Sequence, residues 1–195
     1  MYDDHRRTAF LDYALQRLPS LQDVVRSAWG EQRLWSAGAY RLEPGSKRRQ
    51  RISPASTLQL TMSRDVAGGR LHKIIEAHPT RPSLACHFGF EGIEAPVIGL
   101  EFNIALRDAR YLTVARERSC AEAFDIAEPS AGVALTLSID PPATLYHFPI
   151  ETVSESEEGL ERTYQGLCVV LFWMLQGDRS WTASLEWTVK SSKER

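Results

Sequence analysis

Glu155, Glu157, Glu158 and Glu161 crowd into one short Ser/Glu/Gly stretch. Paired carboxyl groups are what glycosidic bond cleavage needs. A retaining mechanism sets two of them about 5–5.5 Å apart across one bond. These four lie in a turn-forming sequence, where water keeps each carboxyl ionised and no burial lifts a pKa toward an acid's role. The residue types predict a structural turn instead. Ser154 and Ser156 can bond the turn backbone, and Glu161 beside Arg162 can order it.

Other side chains could meet a sugar. Glu101 and Asn103 alternate with Ile98, Leu100, Phe102 and Ile104. They are predicted to project from an outer or concave sheet face, where such groups can bond sugar hydroxyls. An ordinary polar face, or a buried cross-sheet hydrogen bond, fits the same pattern. His87 lies opposite an apolar face, and His147 lies between Tyr146 and Phe148. A histidine acid and a glutamate base could interconvert sugar anomers if they met across the ring; His87, His147 and Glu101 are the residues for that. A lone strand histidine is more often structural. Aromatic faces stack on glucose rings. Trp173, Trp181 and Trp187 follow apolar patterns and belong to the core. Trp29 and Trp35 flank a helix-to-sheet junction and are expected to face a neighbouring domain. The carbohydrate-binding candidates are therefore Glu101, Asn103, His87, His147, Trp29 and Trp35. No dinucleotide, phosphate-loop or metal-ligand spacing occurs, and no cofactor is expected.

The elements that must position these groups are mostly strands. Leu58–Leu60–Met62, Leu84–Cys86–Phe88–Phe90, Ile98 to Leu106, Val133 to Ile139 and Trp181 to Val189 all alternate with small or polar residues. Period-two alternation implies antiparallel strands with one buried face. Turn signals separate them at Glu43-Pro44-Gly45, Gly68-Gly69, His78-Pro79, Glu128-Pro129-Ser130, Pro141-Pro142 and Gln176-Gly177-Asp178. The first thirty residues differ. Phe10, Leu11, Ala14, Leu15 and Leu18 recur at helical spacing. Ser20 can cap a second short helix carrying Leu21, Val24 and Val25, with Gly30 as its stop. The expected organisation is a helical segment over 1–30 packed on a β-sandwich over 31–195.

The chain has 195 residues, 43% hydrophobic and 25% charged, with a net charge of −2. That length suffices for one domain with a sizeable core. The charge balance argues against nucleic acid as partner. Lys47, Arg48, Arg49 and Arg51 read as a solvated hairpin tip. No apolar leader or membrane span is visible. Cys86, Cys120 and Cys168 are odd in number and widely spaced, which suits buried thiols in a reducing compartment. A cytoplasmic location is expected.

Three segments carry a family resemblance. The opening YDDHRRTAFLDYAL is similar to a pattern of roughly R-R-A-S-L-x-D-H-F-L, with Tyr13 where His is common. The strand Leu100 to Leu106, LEFNIAL, resembles an E-F-N strand. The stretch FPIETVSESE-G-ER-YQ, within Tyr146 to Gln165, is the strongest match; His147 stands where Arg or Lys precedes Phe-Pro, and Gly159-Leu160-Glu161 replaces Gly-Phe-Glu. Together they resemble the C-terminal β-domain of the α-amylase and 4-α-glucanotransferase branch of family-57 glycoside hydrolases. The resemblance implies an all-β supersandwich like that of galactose mutarotase, with one or two short N-terminal helices. It implies a domain packed against a catalytic barrel of the same parent protein, which acts on α-glucans and holds the catalytic Glu and Asp. Nothing in this chain resembles that barrel, so the chain alone is expected not to be catalytic. A free-standing carbohydrate-binding module and a small mutarotase-like epimerase are the alternatives.

Overall fold

The computed structural model describes residues 9–35, 38–43, 57–66, 68–107, 114–156, 159–177 and 179–191. The basic run Lys47 to Arg51, the Pro44-Gly45 turn, Glu157 and Glu158 lie outside them. The strands are β1 (Leu11–Leu15), β2 (Arg41–Leu42), β3 (Leu58–Val66), β4 (Gly69–Ala77), β5 (Ser83–Glu91), β6 (Val97–Ile104), β7 (Arg116–Glu128), β8 (Val133–Ser156), β9 (Gly159–Met174) and β10 (Ser180–Ser191). They hydrogen-bond in the order β1-β6-β9-β8-β10-β5-β4-β3-β2, all pairs antiparallel, with β7 on β8.

This path folds over itself because β8 changes partner midway. Its first part, Val133 to Asp140, pairs with β10, and its second, from Thr144, pairs with β9. Pro141 and Pro142 sit between the two. They lack the N–H that a ladder requires, so the strand bends there and passes from one layer to the other. The proline pair is thus a corner inside one 24-residue strand, not the turn its composition suggests. The apolar phases of the two layers then face each other. Phe102 of β6 meets Trp187 of β10 with ring centroids 5.7 Å apart, and Trp173 of β9 meets Trp181 at 5.0 Å. These residues belong to one large core with Phe88, Leu100, Leu137 and Leu171.

A second core lies on the opposite face of β1, β6, β9 and β8. It contains Tyr13, Leu15, Val24, Trp29, Tyr146 and Phe172. That layer is buried on both sides, which explains the uninterrupted apolar run Leu167 to Trp173. Its cover includes α1 (Leu21–Val25), capped by Ser20 in a reciprocal box with Asp23. Tyr146 anchors the approach by donating to the Pro19 carbonyl at 2.9 Å.

The helix expected around Phe10 to Leu18 is instead strand β1, five residues in register with β6. The helical spacing was coincidental. Ala14 enters the large core while Tyr13 and Leu15 enter the second, so apolar residues are needed on both faces and strict alternation is lost. Gly30 does not terminate the helix either. Arg26 caps α1, and Gly30 opens a 3₁₀ turn.

Candidate functional site

Two adjoining cavities share Phe10 as a wall. The larger, about 440 Å³, is lined by Phe10, Phe102 and Trp187, with Arg81, Ser83 and Asn103 among its polar groups. Its size and its mix of aromatic walls with a few polar groups suit a small ligand. The smaller, about 250 Å³, is bounded by Asp12, Tyr40, Met62 and Lys73. Phe10 has φ 63°, a left-handed conformation that is uncommon for a non-glycine residue. Two contacts hold it there. Its carbonyl accepts from Lys73 Nζ at 2.5 Å, and its ring packs edge-on to Phe102 at 5.1 Å.

Asp12 is the hub beneath this wall. Oδ1 accepts from Lys73 Nζ at 2.6 Å and from the Tyr40 hydroxyl at 2.9 Å. Oδ2 accepts from Arg64 Nη2 at 2.5 Å and from Trp35 Nε1 at 3.4 Å. Asp12, Arg64 and Lys73 are all buried. Burial alone would raise the Asp12 carboxyl, but the Lys73 ammonium and Arg64 guanidinium outweigh it and hold it below the usual carboxylate range. Burial, reinforced by Asp12, pushes the Tyr40 hydroxyl up, so it stays a donor. The sequence carried one trace of this hub. On β4, Lys73 shares the apolar phase of Leu71 and Ile75, and a lysine in that phase needs a buried partner.

Glu101 is fully buried, not on an outer face. It accepts from the Tyr13 hydroxyl at 2.8 Å and from Asn103 Nδ2 at 2.7 Å. The second core forces this arrangement, because β6 is covered on the side where Glu101 points. Burial first, and Glu101 second, keep the Tyr13 hydroxyl protonated. Asn103 links this network to the lining of the larger cavity.

The remaining candidates lie apart. His87 is on the outer side of β5, 45% exposed, with Nδ1 3.0 Å from Ser184 Oγ. His147 is buried and tilted against Phe124, centroids 5.0 Å apart. His87, His147 and Glu101 therefore face three different environments and do not converge on one sugar ring. Trp29 is 1% exposed, packed among Tyr13, Phe172 and Arg33. It presents no surface to a neighbouring domain. Trp35 is half-buried against the large core and donates to Asp12. In the acidic stretch, Glu155 and Glu161 are exposed and Arg162 pairs with Glu151 at 3.3 Å, not with Glu161. Burial pushes the Cys86 thiol up to about 12.

His147 gives a pH signature. Burial, then the Arg116 and Arg118 guanidinium groups, lower its pKa below the ordinary 6.5. The unfolded chain then binds a proton that the folded chain refuses. The stability this histidine allows is complete above about pH 6.5 and is lost as pH falls through the lowered folded value. His147→Gln is expected to remove up to about 1.4 kcal/mol per pH unit of slope in that window, measured as the difference between wild-type and variant urea midpoints across pH 4.5–8. Equal slopes would contradict it.

Comparison with known proteins decides the family. Residues 1–187 match the family described as α-amylase/4-α-glucanotransferase, C-terminal. The chain belongs to that family. A 61-residue stretch of this C-terminal domain is 43% identical to α-amylase 1 of Dictyoglomus thermophilum, covering 30% of the chain and 9% of that protein. Its fold is similar to that of the 4-α-glucanotransferase of Thermococcus litoralis, with TM-score 0.72 and 18% identity over 96% of this chain and 28% of that one. A putative aldose 1-epimerase from Escherichia coli K12 shares the architecture at TM-score 0.54 and 10% identity, covering 79% of this chain and 69% of that one. The matched parts are thus 9% of that amylase and 28% of that glucanotransferase, under a third of either. Among its described residues no helix is long and apolar enough to cross a membrane. No group of three or more His, Cys, Asp or Glu among them is placed to hold a metal.

Proposed function

We propose that this domain is the accessory C-terminal part of a larger α-glucan-acting enzyme, with the glycosidic chemistry carried by a catalytic barrel of the same protein. The observation that best supports this is the commitment of the buried carboxylates. Asp12 is neutralised by two cations, Glu101 accepts from Tyr13 and Asn103, and Glu128 accepts from Ser130. The three are held by different partners, unlike a carboxyl pair that flanks one glycosidic bond. The domain's own contribution is to hold the barrel and to offer the aromatic cavity of Phe10, Phe102 and Trp187, with Arg81 at its rim, to a glucan ring. A cytoplasmic location suits its three cysteines, none of which forms a disulfide.

The purified chain is expected to leave maltooligosaccharides unchanged, with no hydrolysis and no transfer by chromatography. In affinity electrophoresis through glycogen its migration is expected to be retarded. Arg81→Ala, at the cavity rim, is expected to weaken that retention about fivefold, the loss of one hydrogen bond of about 1 kcal/mol. Turnover by contaminant-free protein would overturn the accessory assignment; unretarded wild-type migration would overturn glucan contact alone. The geometry disfavours the epimerase alternative, because its acid and base candidates do not meet.

A further inference from the structure

One residue serves both cavities. Phe10, with its neighbour Ala9, lines the larger and the smaller alike. The chain turns sharply at its φ of 63° as it enters β1. The ring then packs on Phe102 in the wall of the larger cavity, while the carbonyl accepts from Lys73 beside the smaller one. A bulky residue held in this conformation costs free energy, and such residues concentrate at ligand clamps.

The smaller cavity has hydrogen-bonding capacity of its own. Lys73 is 2% exposed and lines it. An ammonium carries three N–H donors. Lys73 gives one to the Phe10 carbonyl and one to Asp12 Oδ1, at 2.5 and 2.6 Å, which leaves the third for the cavity. The half-buried Tyr40 hydroxyl donates to Asp12 at 2.9 Å. Its oxygen has two acceptor sites; the Arg64 guanidinium takes one, and one remains. Asp12 itself already accepts from Lys73, Tyr40, Arg64 and Trp35. A neutral hydroxyl that accepts from Lys73 and donates to Tyr40 suits this pair. Met62 and Ile75 supply apolar surface beside it.

We propose that the two cavities are paired subsites for consecutive rings of an α-glucan, with Phe10 as the wedge between them. This rests on the glucan contact assigned to the larger cavity above. One ring lies against Phe102 and Trp187 with Arg81 at the rim. The next lies in the smaller cavity, with a hydroxyl between Lys73 and Tyr40. Rings joined by one glycosidic oxygen must sit side by side, and a wall one residue thick is what can separate them. The division of labour fits the ligand. A glucosyl ring has apolar C–H faces and a hydroxyl edge, and the pair of cavities offers aromatic walls on one side and fixed polar groups on the other.

NMR titration of the 195-residue chain with methyl α-glucoside, which has one ring, and maltose, which has two, tests this. Maltose is expected to bind at least about fivefold more tightly, the gain from one added hydrogen bond. Met62→Phe fills the smaller cavity, and Met62 does not line the larger. Tyr40→Phe removes the acceptor. Each is expected to bring the ratio of the two affinities to about one. A ratio of about one in the wild type, or a wild-type ratio kept by either folded variant, overturns the paired subsites; retention by glycogen then leaves the single-ring contact standing. Failure of both sugars to bind, with unretarded migration through glycogen, overturns both. Should Tyr40→Phe unfold the hub, Met62→Phe alone decides.

Discussion

Asp12→Ala is expected to destabilise the domain by about 3–5 kcal/mol, because it removes one partner of a buried ion cluster and leaves the others uncompensated. Lys73 and Arg64 would be left without their carboxylate in a site only 3% and 8% exposed, where burial already pushes the Lys73 ammonium below its usual range. Tyr40 and Trp35 would lose their acceptor as well. Coupled to this, the Lys73 ammonium would lose what fixes it against the Phe10 carbonyl, and the wall between the two cavities would loosen. For a domain of this size the melting temperature should fall by roughly 6–20 °C, read by circular dichroism. A second substitution separates charge from packing. Lys73→Met in the Asp12→Ala background should recover part of the loss, since it removes one stranded cation. A loss below about 1 kcal/mol for Asp12→Ala, or no recovery in the double variant, would show that the hub is not held by charge.

Much of the sandwich was legible because its strands carry an uncomplicated signal. Cys86, Phe88 and Phe90 on β5, and Ala183, Leu185 and Trp187 on β10, alternate because only one face of that layer is buried. The other layer is covered twice, and there the alternation rule failed. Glu101 looked like a residue of an outer or concave face, yet it is buried and bonded to Tyr13. Pro141-Pro142 looked like a turn because proline composition marks any break in a ladder, including a corner within one strand. The candidate site was less legible still. The hub joins Asp12 to Arg64 and Lys73, partners separated by 52 and 61 residues. Periodicity reports the face a residue occupies, not the distant side chain it meets. The signature around Tyr146 to Gln165 pointed to the right family and to no chemistry: of its carboxylates, Glu155 and Glu161 are exposed on the paired ends of β8 and β9.

Trp29→Ala is the second large expected effect, about 3–5 kcal/mol for an aromatic side chain lost from a packed core. Trp29 touches Tyr13 at 4.5 Å and Phe172 at 5.9 Å, and the Arg33 guanidinium lies 4.8 Å from its ring. Its removal empties the centre of the second core, beside the only α-helix among the described residues. That helix has five residues, too few to persist in water without tertiary contact. Amide exchange over Leu21 to Arg26 should therefore approach the unprotected rate in the variant, while Phe88 and Leu185 on the far side of the sandwich keep theirs. Trp29→Phe should retain the two aromatic contacts and lose markedly less. The experiment also discriminates between packing and recognition. A tryptophan that stacks on sugar would lose glycogen retention on truncation with its melting temperature intact; one that anchors the second core must lose melting temperature first, and any change in retention would follow the fraction of folded protein.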